Sequence, residues 1–197
     1  MPKVTKEKIK QILHNYQKEK LSDENLKVSA VLIPIFSKDG EYHILFTKRS
    51  EKVNFHKGQF CFPGGTRDPS DSTLLETALR EVKEEINLDA RDVEILGELD
   101  DCPTLSSGYV ISPFVAFIPY PYLFTLDNKE VDEILSIPLS VLLDESNLRQ
   151  DYYPTGDKAV PGYAYEYEGK IVWGATARIV KQFIGLLRSE AEGGASG

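Results

Sequence analysis

The feature that most constrains this chain lies in residues 62–88, FPGGTRDPSDSTLLETALREVKEEINL. A Pro-Gly-Gly turn and a short acidic loop lead into a segment of helical periodicity that carries Glu81, Glu84 and Glu85. Residues three and four apart on a helix are neighbours, and like charges there repel by about 0.2–0.5 kcal/mol per pair. Such crowding gives folding nothing, so the pattern points to a cation held among the glutamates. Thr73-Leu-Leu-Glu76 fits a capping box. The spacing predicts a helix over 73–86 with Leu75, Leu79, Val82 and Ile86 as its core stripe. At about 100° per residue the three glutamates fall in an arc beside that stripe, against the body of the protein.

Three carboxylates beside a glycine turn make an oxygen-rich donor set of the kind that hard cations such as Mg2+ or Mn2+ take. Glycine permits close approach of the backbone, so the Gly65 carbonyl is a further candidate ligand. A cation there would neutralise phosphates and acidify an attacking water. A neighbouring glutamate could position or deprotonate that water. The plain alternative is a solvated acidic face paired with Arg80 and Lys83.

The formal net charge is −8, from 23 Lys+Arg against 31 Asp+Glu. That balance disfavours nucleic acid and anionic membranes as partners, since both reward basic surfaces. It leaves room for a small anionic substrate bridged by cations. Cys61 and Cys102 show no CxxC spacing, which fits a reduced compartment. The opening MPKVTKEKIKQIL is charged throughout, unlike a signal peptide, and no apolar run approaches the roughly 20 residues of a membrane span. The expected setting is cytoplasmic.

Along the chain, Ile9, Ile12, Leu13 and Tyr16 predict an amphipathic helix over 3–20. Strands are expected at 28–36, 42–47, 59–62, 93–99, 110–118 and 130–137, with Pro34 marking an edge or a bulge. A helical turn is expected at 138–143, a polar loop at 150–160, a hairpin at 163–173 and a last helix over 174–188. The reading is an N-terminal helical extension (1–27), one α/β domain with a mixed sheet and helices on both faces (28–190), and a disordered tail (191–197).

The carboxylate segment resembles the Nudix box, G-x5-E-x7-R-E-U-x-E-E-x-G-U, where U is aliphatic. Arg80-Glu81-Val82-x-Glu84-Glu85-x-Asn87-Leu88 matches its second half, and Gly65 matches its leading glycine. The spacing from Gly65 to Arg80 is one residue longer than the box, with Asp71-Ser72 where its first glutamate falls. Asn87 replaces the late glycine, and asparagine also tolerates the left-handed conformation that ends helices.

The resemblance implies a Nudix-type α/β/α sandwich and hydrolysis of a nucleoside diphosphate linked to another group. It also implies metal ligation by Glu81, Glu84 and Glu85, with Glu81 assisting the water. Leu45-Phe46-Thr47-Lys48-Arg49-Ser50, then Gly58-Gln59-x-x-Phe62-Pro63-Gly64-Gly65, and Trp173-Gly174-Ala175-Thr176-Ala177 are similar to the coenzyme A pyrophosphatase branch. That branch implies coenzyme A or acyl-CoA as substrate. Its signature carries an arginine where this chain has Asn54; asparagine cannot imitate a bidentate phosphate contact.

Arg49 and His56, with Gly64 and Gly65, are the candidate substrate contacts. Glu130 and Glu133 are either a further carboxylate near the metal or surface residues. Tyr163, Tyr165 and Tyr167 alternate as one face of a strand does. A homodimer is compatible with the sequence. Two rivals stand beside coenzyme A hydrolysis: cleavage of another nucleoside diphosphate derivative such as ADP-ribose, and a non-catalytic nucleotide-binding regulatory domain.

Overall fold

The computed structural model describes residues 4–53, 56–105, 107–155 and 158–193. In chain order the elements are α1 (Lys6–Asn15), β1 (Lys27–Lys38), β2 (Glu41–Arg49), β3 (Phe60–Cys61), β4 (Gly64–Thr66), α2 (Leu74–Ile86), β5 (Glu94–Glu98), β6 (Cys102–Pro103) and β7 (Tyr109–Phe117). They continue with β8 (Val131–Pro138), α3 (Leu139–Leu143), β9 (Leu148–Thr155), β10 (Lys158–Tyr167), β11 (Lys170–Trp173) and α4 (Gly174–Gly193).

The main sheet runs β3-β2-β1-β7-β5, with β4 on β1, β6 on β7 and β8 on β2. The β1–β7 pair is parallel, while β1–β2, β2–β8 and β5–β7 are antiparallel, so the sheet is mixed. Alternation along the strands builds two cores. Ala30, Leu32 and Phe36 of β1, Leu45 of β2, and Phe114 and Ala116 of β7 pack with Ala78, Val82 and Ile86 of α2. Ile33 and Ile35, Ile44 and Phe46, and Val115 face the other way, onto α1, α3 and α4. A central strand with side chains buried on both faces reads as a continuous apolar run, which is what residues 28–36 show. The result is the α/β/α sandwich that the sequence implied.

Pro34 sits in this central strand and not at an edge. The carbonyl of Ile35 accepts from Ile118 N–H at 2.9 Å, so the amides of odd-numbered residues face β7. The position of Pro34 faces the opposite side, between the β4 pairing (Ser29 to Val31) and the β2 pairing (Ile35 to Lys38). Its missing donor falls at the seam where one partner strand gives way to the next, so no ladder bond is lost.

Three further differences from expectation have local causes. Helix α1 stops at Asn15, because the Asp100 carboxylate accepts from Tyr16 O–H and Glu19 N–H, both at 2.7 Å, and Asp101 accepts from Leu21 N–H. Those bonds hold the chain extended beyond the helix. The stretch 150–160, expected as loop, belongs to β9 and β10, which with β11 form a second, three-stranded sheet. Thr155 pairs with Lys158, and pairing between strands overrides the polar composition of this stretch. Helix α4 continues to Gly193, into the stretch expected as tail, and 194–197 lie outside the described residues.

Ile9, Ile12 and Leu13 of α1 are buried in the same core as α4, and a Cβ on Gly97 of β5 would come within 2.5 Å of Leu13 Cβ. The N-terminal helix is therefore packed as core. Ile9→Ala should cost about 2–4 kcal/mol in urea unfolding, the range for emptying a buried aliphatic site. A loss below about 1 kcal/mol would mean that α1 is dispensable.

Candidate active site

The site is built where β4 lies between β1 and α2. Gly64 has φ +148°, and a Cβ there would come within 2.3 Å of the Ala30 carbonyl oxygen, so only glycine fits. At Gly65 a Cβ would stand 2.4 Å from the Glu81 carboxylate carbon. The residues expected to form a turn are thus a short strand, pressed between β1 on one side and a carboxylate on the other. Gly64 N–H donates to Glu85 Oε2 at 3.2 Å.

Helix α2 begins as its sequence requires. Thr73 caps it, accepting from Glu76 N–H at 3.1 Å, while Glu76 reaches back to Ser72 N–H at 2.7 Å. It ends at Asn87, left-handed with φ 57°. Its buried stripe is turned from the expected one: Ala78, Val82, Glu85 and Ile86 face inward, with Leu75 and Leu79 only partly covered. The turn places Glu85, not an aliphatic residue, on the packed face.

The three glutamates have three environments. Glu85 is 3% exposed, and burial, with the charges of Glu81 and Glu130, pushes its carboxyl up to about 8. Gly64 N–H and Arg49 oppose that shift. Glu81 is half-buried and raised chiefly by burial, with Glu84 and Glu130 adding to it and Arg80 opposing. Glu84, at 60% exposed, turns outward. Arg80 is the cation already among them: one guanidinium nitrogen donates to Glu81 at 3.0 Å and Glu84 at 3.2 Å.

The rest of that guanidinium explains the irregular box. Arg80 Nε and Nη2 donate to the two oxygens of Asp71 at 3.1 and 3.0 Å, and Nη2 also reaches the Thr66 carbonyl at 3.2 Å. Asp71, 6% exposed, further accepts from Asp68 N–H and Thr77 O–H, each at 2.9 Å. Arg80 foremost holds its carboxyl well below the usual range. The residue by which this segment exceeds the box falls between Asp71 and Arg80, and Asp71, an acid one methylene shorter than glutamate, forms a bidentate pair with that arginine.

Arg49, at the end of β2, lies close enough to oppose the Glu85 shift, and its Nε is buried without a hydrogen-bond partner. Cys61 shares this corner; burial pushes its thiol up to about 11, which makes it inert as a nucleophile. Glu130, whose carbonyl accepts from Ser50 N–H at 2.8 Å, brings a fourth carboxylate whose charge reaches both Glu81 and Glu85. Sequence reading weighed it equally with Glu133, which instead pairs with Lys170 of the second sheet. His56 stands apart, exposed on the β2–β3 turn with its Nδ1 3.1 Å from Gln59 Oε1. Asn54 lies outside the described residues. Tyr165 is buried in the core, as its alternation suggested.

Among the described residues no three acidic, histidine or cysteine side chains converge as a ready-made metal cage. The donor chemistry nevertheless fits a hard divalent cation. A buried carboxylate bonded to a single backbone N–H keeps unused lone pairs, and Glu81 adjoins it across Gly65.

The Glu85 shift has a sign that can be tested. An ordinary glutamate titrates near 4.3. Between there and about 8 the folded chain binds a proton that the unfolded chain has released, so this group's stabilisation is lost as pH rises. In chelator, Glu85→Gln should therefore raise stability at pH 9 by about 1–3 kcal/mol, a few degrees in Tm, and change it little at pH 4. Equal melting of the two proteins at pH 9 would contradict the burial argument.

The comparisons agree with this geometry. The NUDIX domain family profile matches residues 26–155. The Nudix hydrolase NudL of Photorhabdus laumondii is 36% identical over 164 residues, spanning 83% of this chain and 86% of its own. NudL of Yersinia enterocolitica is 38% identical over 154 residues, 78% of each chain. Among solved structures, a MutT/nudix family protein from Enterococcus faecalis has the same fold. It covers 89% of this chain and 66% of its own, with a TM-score of 0.53 at 14% identity. Nudix hydrolases generally use divalent cations such as Mg2+ or Mn2+. The chain belongs to the Nudix family of hydrolases, pyrophosphatases acting on diphosphate anhydrides.

Proposed function

We propose that this enzyme cleaves the diphosphate bond of coenzyme A or an acyl derivative, releasing adenosine 3′,5′-bisphosphate and 4′-phosphopantetheine or its acyl form. One observation carries the diphosphate part of the reading. Buried Glu85 and half-buried Glu81 meet the Gly64-Gly65 backbone, with the unpartnered Nε of Arg49 alongside. Acidic ligands for a cation and a cation for a phosphate thus share one corner of the fold. The coenzyme A part is supported by the segments 45–50, 58–65 and 173–177 and by the lengthened loop before Arg80.

Glu81, Glu84 and Glu85, with the Gly65 carbonyl, are the residues assigned to hold Mg2+ or Mn2+. A cation bound there supplies charge neutralisation at the phosphates and makes a nearby water more acidic. Glu84 joins the set by releasing Arg80. Arg49 orients the diphosphate, Gly64 and Gly65 let it approach the backbone, and His56 is the outer contact. Glu81 accepts the proton of the attacking water, a role its raised proton affinity suits, and Glu130 sustains that affinity by its charge. The water oxygen bonds to phosphorus as the bridging P–O bond breaks, and the leaving phosphate departs as an anion. The catalytic unit we assign is 28–190, with α1 as an extension that closes its core.

A second reading is favoured by Asn54, which lacks the guanidinium that the coenzyme A signature places there. On that reading the substrate is another nucleoside diphosphate derivative such as ADP-ribose. Product chromatography over a diphosphate panel in Mg2+ and Mn2+ separates the two. Coenzyme A turnover above that of ADP-ribose is expected, and Asn54→Arg should increase it. ADP-ribose cleavage with no coenzyme A turnover in either protein refutes the favoured substrate.

Glu85→Gln and Glu84→Gln should each lower kcat at least about a hundredfold in saturating Mg2+, the scale of losing a catalytic ionisable group. Full turnover in either variant would overturn the ligand assignment.

A further inference from the structure

Away from the carboxylate site, α4 closes a concavity of about 210 Å3 between itself, α3 and the second sheet. Leu142, Leu148, Tyr165 and Ile184 give it an apolar lining, and Lys181, Gly185 and Arg188 follow one another along α4 beside them. Those last three lie one turn apart on one helix face. No residue of the Glu81–Glu85 site contributes to it.

Gly185 is the informative residue. Glycine inside a helix is destabilising relative to alanine, so it is kept where conformation or space demands it. Neither demand exists here: its φ is not positive, and a Cβ would meet nothing within 4 Å. The glycine leaves open a space that any side chain would fill. On one side of that space the Lys181 ammonium lies 4.6 Å over the Tyr163 ring and makes no ion pair among the described residues. On the other, Arg188 is anchored by Glu145 and the Leu143 carbonyl, and its buried Nε has no hydrogen-bond partner. Arg188 faces the carboxylates of both Glu145 and Asp144, so Lys181 is the cation of this wall left without an ion pair among the described residues, on a chain whose net charge is −8.

We infer that this pocket binds a small amphipathic anion, a short-chain carboxylate with its head between Lys181 and Arg188 and its stem on Leu142, Leu148, Tyr165 and Ile184. Its volume falls below the roughly 300 Å3 of pockets for drug-sized ligands. At about 30 Å3 per water-sized group it takes about seven heavy atoms, close to the roughly eight of hexanoate, whose terminal methyl would reach the open mouth. The one unpaired ammonium, that of Lys181, matches a monocarboxylate, and the apolar lining asks for a stem of several methylenes.

Calorimetric titration of the full chain with hexanoate at pH 7 and low salt tests this. Hexanoate should saturate one site, with hexanol (stem alone) and acetate (head alone) each at least about tenfold weaker. Lys181→Gln, an exposed change that gives up the ammonium over the Tyr163 ring, should weaken hexanoate at least about fivefold. Gly185→Leu, checked for folding by circular dichroism, should abolish binding. Diphosphate hydrolysis should be unchanged in both variants, so failure here is distinguishable from failure of the catalytic reading. Absence of saturable hexanoate binding, hexanol binding as tightly as hexanoate, or unaltered affinity in Lys181→Gln would each overturn the inference.

Discussion

The structure depends on one close approach, that of the Gly64-Gly65 backbone to the carboxylates of Glu81 and Glu85. Everything around it serves that contact. β1 supplies a flat partner at Ala30 and Val31 that admits no Cβ at Gly64, and α2 is rotated so that Glu85 takes a position on its packed face. Placing an acid there carries a desolvation cost, which appears as the upward shift of its proton affinity. A group so poised gives up its proton readily only to a stronger electrostatic partner, as metal sites in general couple ligand binding to proton release.

Arg80 makes the arrangement tolerable. Its planar fork spreads one positive charge over Asp71, Glu81 and Glu84 while bonding a backbone carbonyl of β4. A lysine would lack the geometry for so many simultaneous acceptors. The pairing with Asp71 also ties the loop ahead of α2 to the helix itself, so the helix start and the glycine strand are fixed relative to each other.

Much of this was legible in the sequence because it follows periodicity and capping. The helix at 73–86, its Asn87 terminus, the buried strands at 28–36 and 110–118 and the two-faced sandwich all rest on patterns that side chains announce. Three things were not legible. The burial of Glu85 was hidden because a hydrophobic stripe scores every carboxylate as polar. Strand β4 was hidden because glycine is a poor strand former on its own and pairs here only through tertiary context. The pairing of Asp71 with Arg80 was hidden because spacing along a sequence does not say which side chains meet across a loop. The polar composition of 150–160 concealed β9 and the start of β10 for a related reason: pairing partners, not residue preference, decide such strands.

The two faces of the sheet are assembled from different parts of the chain, and this bears on the order in which the molecule can fold. The face that carries α2 draws its core from Ala30 to Ile118, a continuous stretch. The opposite face needs α1 and α4 together, from the two ends of the described chain. Its parallel β1–β7 pair already demands a long-range closure, the kind of contact that slows folding. In vectorial synthesis the site-bearing face is therefore made before α4, and the other face stays uncovered until α4 emerges. The carboxylate site matures early, and the opposite face of the sheet waits on α4.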